Sequence, residues 1–389
     1  MPAYMRAQLL TSRAARTVSV MPEMHAARRA RAQELIAALG ADAALITSPP
    51  NVRYLTGLAS SNAAVLVPAA GAAVLATDAR YAETAGRDCA DLELITDRLA
   101  EPALAGLAGR RGVTTLAFEA HEMTVERHAE LTALGEVLFL VPAGRLVEGL
   151  RTVKDDAELA LLRRACAITD AAFAALLPFI APGRSEREVA VALERAMTDL
   201  GADGLAFDTI VASGPNGAIP HHAPGSRPLA AGDLVTIDCG ARLGGYHADM
   251  TRTVALGEPA AWQREIYDLV AAAQRAGVAA AVPGTEVTAL DAAARDVIDA
   301  AGYGGCFQHG LGHGVGLEVH EAPIIGYGRT GTLMDRVPVT VEPGVYLPGR
   351  GGVRIEDTLV VRAGGASAET GSAGSAEILT MTTKELLVL

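Results

Sequence analysis

The chain has 389 residues, a formal net charge of -12 and half its residues apolar. That length is enough for two buried cores, and the composition excludes global disorder. The acidic balance argues against a phosphate-backbone partner. With aromatics at 4% there is no stacking platform for single-stranded nucleic acid. Cys89, Cys166, Cys239 and Cys306 form no CxxC pair, so neither a disulfide framework nor a cysteine zinc site is expected. A reducing, cytoplasmic setting follows. No apolar run approaches the roughly 20 residues of a spanning helix, so no membrane role is expected.

In chain order, residues 1–23 read as a disordered leader, with Met21 or Met24 as an alternative start. Met24 to about Gly40 is an amphipathic helix, and its basic run Arg28, Arg29 and Arg31 reads as a solvated face. Ala44–Thr47 is a short strand, and Ser48-Pro49-Pro50-Asn51 a turn. Ala64–Val67 and Ala72–Ala76 make a hairpin about Ala70-Gly71. The strand-like pieces Leu92–Ile95 and Thr115–Phe118 alternate with helical ones such as Thr124–Leu134. This alternation indicates an α/β domain over residues 24–150.

A second domain, residues 151–389, opens with a long helix from Lys154 to Leu177, broken at Pro182-Gly183. Ser185 and Glu188 form a capping box for the next helix, and Thr288 with Asp291 suggests another by the same logic. Leu234–Asp238 is a buried strand and Trp262–Val282 a helix. Val337–Val341 and Val353–Val361 are late strands. A Gly/Ala/Ser stretch, 364–376, precedes a last strand near Glu377–Leu379.

Four carboxylates interrupt apolar, strand-like sequence in this domain. Asp238 ends Val235-Thr236-Ile237, Asp249 follows Tyr246-His247-Ala248, Glu342 ends Val339-Thr340-Val341, and Glu356 follows Val353-Arg354-Ile355. Burying one such group costs several kcal/mol unless something positive compensates it. A capped turn or an ion pair explains any one of them. Arg252 and Arg354, however, cannot neutralise four, whereas two divalent cations can. Hard oxygen ligands with an imidazole suit Mn²⁺, Co²⁺ or Zn²⁺. The imidazoles come from Gln308-His309-Gly310-Leu311-Gly312-His313 through His320, which places three of the nine histidines within twelve residues. This glycine-rich stretch is no phosphate loop, because residue 315 is Val and no Walker lysine follows. It also lacks the HExxH signature. Pro220-His221-His222-Ala223-Pro224 is a proline-fixed, exposed loop. His247 reads as structural, and Cys239, on the opposite strand face from Asp238, as packing.

These residues resemble the pita-bread metallopeptidases: aminopeptidase P, prolidase and methionine aminopeptidase, with metal-free creatinase as a relative. Asn51-Val52-Arg53-Tyr54-Leu55-Thr56-Gly57 is similar to the creatinase-type N-terminal signature. IVASGPNGAIPHH, IDCGARLGGYHADMTRT, HGLGHGVGLEVHE, VEPGVY and GGVRIEDT occur in family order. The resemblance implies a creatinase-like α/β domain followed by an α+β pita-bread catalytic domain. It implies a dinuclear centre, Mn²⁺ foremost with Co²⁺ or Zn²⁺ as alternatives. Asp238 would chelate one ion, Asp249 (249 - 238 = 11 residues on) and Glu356 would bridge, and His313 and Glu342 would hold the second. His221 and His320 match pocket histidines that stabilise the tetrahedral intermediate. Glu342 would be the proton shuttle, and His309 and Arg354 match positions in the substrate pocket or directly behind the ligands in the proline-specific members. The implied reaction is hydrolysis of the bond between an N-terminal residue and proline in small peptides, by an Xaa-Pro aminopeptidase or dipeptidase that forms a homodimer. A non-catalytic peptide- or protein-binding module on the same fold is the alternative.

Overall fold

The computed structural model describes residues 22–133, 138–364 and 374–389. Residues 1–21 of the expected leader, Leu134 of the expected helix and residues 365–373 of the Gly/Ala/Ser stretch lie outside the described residues. The chain divides into two compact units, Met1–Arg151 and Thr152–Leu389.

The first unit is built on a six-stranded mixed sheet, β1 (Ala43–Ile46), β2 (Ala63–Pro68), β3 (Val74–Thr77), β4 (Glu93–Thr96), β5 (Thr115–Phe118) and β6 (Phe139–Pro142), in the order β4-β3-β2-β1-β5-β6. The central strands are buried along their length, as apolar four- to six-residue runs between helices require. α1 (Pro22–Ala38) takes in two residues expected to belong to the leader. The Ser48–Asn51 segment opens a helix, α2 (Pro49–Thr56), instead of a turn. Prolines fill its first helical positions, where a missing N–H costs nothing. Gly57, at φ 87°, closes α2 by donating its N–H to Arg53 O. The basic run of α1 is only partly a solvated face. Arg28 and Arg29 are buried, donating to Tyr54 O and Leu55 O at the C-terminal end of α2, while Arg31 is exposed. Three more helices, α3 (Ala82–Asp88), α4 (Ala100–Arg110) and α5 (Val125–Ala133), and α6 (Leu146–Thr152) follow in chain order.

The second unit is α+β. α7 (Asp156–Leu176) and α8 (Glu186–Asp199) pack with β8 (Ile210–Ser213), β9 (Leu234–Cys239) and β12 (Met250–Ala255) around Phe173, Leu193, Val235 and Ile237. α9 (Ala261–Ala280) and α10 (Val287–Ala300) pack with β15 (Pro338–Val341), β16 (Gly344–Leu347), β17 (Gly351–Arg354) and β18 (Asp357–Arg362) around Ile266, Leu290, Val339 and Leu359. The strands pair antiparallel: β12-β9-β8 in one sheet, β16-β17 as a hairpin, and a five-stranded sheet. That sheet runs β14 (Glu321–Ile325), β13 (Gly312–Gly314), β15, β18, β19 (Ser375–Ile378).

Capping boxes start both α7, at Asp155 with Glu158, and α8, at Ser185 with Glu188. Thr288 does not cap α10. Glu286 stands at its start and Thr288 lies in its first turn. Backbone bonds from Val287 N to Gly331 O and from Leu333 N to Thr285 O fix that start. Asp291 is instead buried, held by Arg295 and accepting Leu311 N at 3.0 Å. The expected single strand Val353–Val361 is two. β17 pairs with β16 and β18 with β15, and residues 355–356 cross between the sheets.

Phe173 is fully buried between α7, α8 and β9. Phe173→Ala is expected to lower the unfolding free energy by about 3–5 kcal/mol, read by urea denaturation of the second unit's transition.

Candidate metal centre

The five expected ligands come from three breaks or ends of strands and two strand interiors. Asp238 lies within β9, in register with Ile210 and Thr251 on either side. Asp249 lies between β11 (Tyr246–His247) and β12, and its carbonyl accepts Thr358 Oγ1 at 2.7 Å. His313 is in β13, its N–H given to Thr340 Oγ1. Glu342 directly follows β15, with its N–H on Leu311 O at 2.8 Å. Glu356 sits at the crossing from β17 to β18, where its N–H donates to Thr251 O. Each break turns a carboxylate out of the sheet's alternation and toward one cavity of about 440 Å³, which all five residues line with His221, His309, His320 and Arg354.

Asp249, His313 and Glu356 each place a ligand atom within 4.8 Å of the others. His313 Nδ1 donates to Gly314 O at 3.0 Å, which fixes the tautomer and leaves Nε2 facing the carboxylates. Nε2 stands 3.4 Å from Glu342 Oε1 and 3.7 Å from Asp249 Oδ2. Glu356 Oε2 accepts Thr251 Oγ1 at 2.7 Å. Asp238 Oδ2 accepts Arg354 Nη2 at 2.7 Å, while Asp238 Oδ1 is buried with no hydrogen-bond partner among the described residues. An acidic oxygen turned into a cavity without a donor is what a cation ligand requires.

The electrostatics agree. Burial, then the neighbouring carboxylates, push Asp249 and Glu356 well above the ordinary carboxylate range, and burial raises Asp238 against the pull of Arg354. Burial also works against ionised Glu342, but the His313 hydrogen bond and charge outweigh it and hold Glu342 down at about 2. Burial lowers His313; Glu342 more than reverses this, and its pKa is raised. Of the two arginines available by sequence, Arg252 is not at the site. Its guanidinium pairs with Asp357 at 2.8 Å and bonds backbone carbonyls. One guanidinium, paired with Asp238 alone of the four clustered carboxylates, leaves a large charge deficit, and the donor set of carboxylate oxygens and one imidazole nitrogen fits two hard divalent cations.

The remaining expected residues divide by geometry. His320 stacks edge-on against His313 with ring centroids 4.3 Å apart, and its ring nitrogens make no hydrogen bond to the described residues. Burial, then the neighbouring His313 charge, lower its pKa, so it is neutral at pH 7. His221 also lines the cavity. His309 has both ring nitrogens engaged, Nδ1 with Gly310 O and Nε2 with Tyr346 OH at 2.8 Å each. Arg354 spends Nε on Thr251 Oγ1, Nη1 on Tyr346 OH and Pro220 O, and Nη2 on Asp238. Both therefore shape the wall through bonds within the protein. His247 is buried with Nδ1 on Gly316 O, and Cys239 packs beside Val235 and Met250.

Sequence reasoning passed over Tyr346, which joins His309 to Arg354, and Thr251, which holds Glu356. Its place at the end of the VEPGVY motif is the one signal of Tyr346 in the sequence; its pairing with Gly352 across the β16-β17 hairpin emerges only in the fold. Phe207, Val319, Ile324 and Ile325 supply the apolar wall.

The Metallopeptidase family M24 profile matches residues 160–363, which contain all nine site residues, and the Creatinase/Prolidase N-terminal domain profile matches residues 28–153. The chain belongs to metallopeptidase family M24. An uncharacterized peptidase of Bacillus subtilis, YqhT, is 41% identical over 92% of this chain and 98% of its own. Among solved structures, an Xaa-Pro dipeptidase from Bacillus anthracis is 37% identical with a TM-score of 0.88, covering 94% of this chain and all of that one. An X-Pro aminopeptidase from Thermotoga maritima is 33% identical with a TM-score of 0.83, over 92% and 98% of the two chains. The M24 member described here is thus an enzyme, a peptidase on the pita-bread fold, and the catalytic reading is favoured over a binding module.

Raised folded-state pKa values make the metal-free site stabilising only while Asp249 and Glu356 stay protonated. That stability is present below the ordinary carboxylate range and lost as pH rises through their raised values. Chelator-treated Glu356→Gln is therefore expected to resist denaturant better than chelator-treated wild type at pH 8. The difference should vanish near pH 4. Equal stability at both pH values would contradict the electrostatic account.

Proposed function

We propose that this chain hydrolyses the peptide bond between an N-terminal residue and proline in small peptides, using two divalent cations held by Asp238, Asp249, His313, Glu342 and Glu356. The convergence of four carboxylates, three of them buried and Glu342 partly so, and one tautomer-fixed imidazole on one cavity carries the reading. The names of the structural relatives, an Xaa-Pro dipeptidase and an X-Pro aminopeptidase, support the proline specificity. Mn²⁺ is the proposed metal, with Co²⁺ and Zn²⁺ as alternatives, in a cytoplasmic homodimer. Among the described residues no helix is long and apolar enough to cross a membrane.

Bound there, divalent cations supply Lewis acidity, which brings water's pKa toward neutrality. The protein's own groups do the rest. Glu342, held ionised, takes the proton of the attacking water and delivers it to the leaving prolyl nitrogen. An amide nitrogen leaves only as the protonated amine, so the prolyl nitrogen must gain a proton to depart; as a tertiary amide it offers no N–H by which it could be held. His320, neutral and with ring nitrogens that make no hydrogen bond to the described residues, donates to the oxygen that becomes negative, and His221 contributes from the cavity wall. The apolar wall of Phe207, Val319, Ile324 and Ile325 accommodates a ring and excludes water from it.

His320→Ala is expected to lower kcat by about 10²–10³-fold, the effect of removing one oxyanion donor, while bound metal stays at wild-type level. Equal loss of metal would move His320 among the ligands. The function itself is tested by hydrolysis of Ala-Pro against Ala-Pro-Ala with Mn²⁺-loaded protein and a chelated control. Metal-dependent release of the residue before proline from either peptide is the expected result. Cleavage of the dipeptide alone makes it a dipeptidase, and cleavage of the tripeptide an aminopeptidase. Cleavage of neither rejects the proposal.

A further inference from the structure

The Pro220–Pro224 loop carries two histidines, and the proposed reaction uses one. His221 lines the catalytic cavity, while His222 turns the other way, its Nε2 donating to Glu186 Oε2 at 2.8 Å. Glu186, the first residue of α8, is fully buried. Its Oε1 accepts Ser213 N at 2.9 Å, Ser213 Oγ at 2.7 Å and Asn216 Nδ2 at 2.9 Å, and its Oε2 also accepts Gly225 N at 3.1 Å. One carboxylate thus grips the 213–225 loop at both ends and at two points between. Burial works against the charged form, and the hydrogen bonds from Asn216, His222 and Ser213 outweigh it and lower the pKa of Glu186, so the loop is held by a carboxylate.

A second anchor holds the same loop from the cavity side. Pro220 O accepts Arg354 Nη1 at 3.2 Å. Gly217 lies so close to β17 that a Cβ on it would stand 3.1 Å from Gly352 N. His221 is the residue between the two anchors, Arg354 acting on Pro220 and Glu186 acting on His222. The direction and depth of its imidazole are set by whether both hold. We propose that His222 is a positioning residue for the reaction, its hydrogen bond to Glu186 fixing how far His221 reaches into the cavity. The inference rests on the peptidase reading of that cavity.

The test is a double-mutant cycle on the full, metal-loaded chain, with amide hydrogen exchange measured alongside. His222→Ala is expected to lower kcat about 10- to 100-fold, the scale of a small misplacement, with KM and bound metal unchanged. His222→Gln, which keeps an N–H donor, restores most of the loss, because the role is donation and not imidazole chemistry. In a His221→Ala background the same His222→Ala change has no further effect, since it acts through His221. Exchange rises over residues 219–225 and stays unchanged over 234–239. Wild-type kcat in His222→Ala, or the same fold-loss with and without His221, overturns the proposal. If His222→Ala does not fold, Glu186→Gln, which replaces one acceptor oxygen by a donor, takes its place in the cycle. If wild-type protein cleaves no Xaa-Pro peptide, the proposed function fails by itself. Exchange then judges the loop alone, and unchanged exchange over 219–225 in His222→Ala overturns the positioning.

Discussion

Four carboxylates share one buried cavity with a single guanidinium, and the second unit is arranged around that imbalance. Like charges a few ångströms apart in a weakly polarisable interior repel strongly, so the set is incompatible with a stable core unless protons or cations intervene. Both responses are written into the geometry. Without cations, Asp249 and Glu356 hold their protons far above the usual range, while Glu342 and His313 settle as a charged pair. For cations, the Asp238 oxygen without a hydrogen-bond partner among the described residues and His313 Nε2, beside Glu342, already face the cavity. The supporting bonds, from Thr251 to Glu356 and from Arg354 to Asp238, orient these carboxylates, the proposed ligands, by contacts within the protein.

Antiparallel sheets deliver these groups by ending. A strand interior offers one face to a site at every second residue, which is how β9 presents Asp238 inward while Cys239 packs into the core behind it. The other carboxylates stand where pairing stops: after β15, before β12, and between β17 and β18. Surrounding the centre on several sides requires backbone from the β12-β9-β8 sheet and the five-stranded sheet, and the crossing at Ile355-Glu356 carries the chain from the β16-β17 hairpin into the latter.

The sequence made the carboxylates legible because an acid at the edge of an apolar run has no cheap structural explanation. Alternation made the α/β half legible; in the second half the pattern gave individual helices and strands, and the α+β class came from the family resemblance. The break inside Val353–Val361 was hidden. Arg354 and Glu356 keep a two-residue alternation across it, and nothing local announces a change of sheet. Asn51 opened the recognisable NVRYLTG stretch, but its work lies far along the chain, bonding Glu119 and Glu148 and accepting from Arg151. The same holds for Tyr346, Thr251 and Glu186. Their residue types are common in loops and helix starts, and only the folded chain shows what they hold.

The most direct test of the paired-cation account is anomalous diffraction from crystals grown with Mn²⁺, measured near the manganese edge. The account predicts two peaks in the cavity, both beside Asp249 and Glu356, with one nearer Asp238 and the other nearer His313 and Glu342. A cavity without peaks in protein that hydrolyses its substrate, or one peak coordinated by none of these five residues, would contradict it.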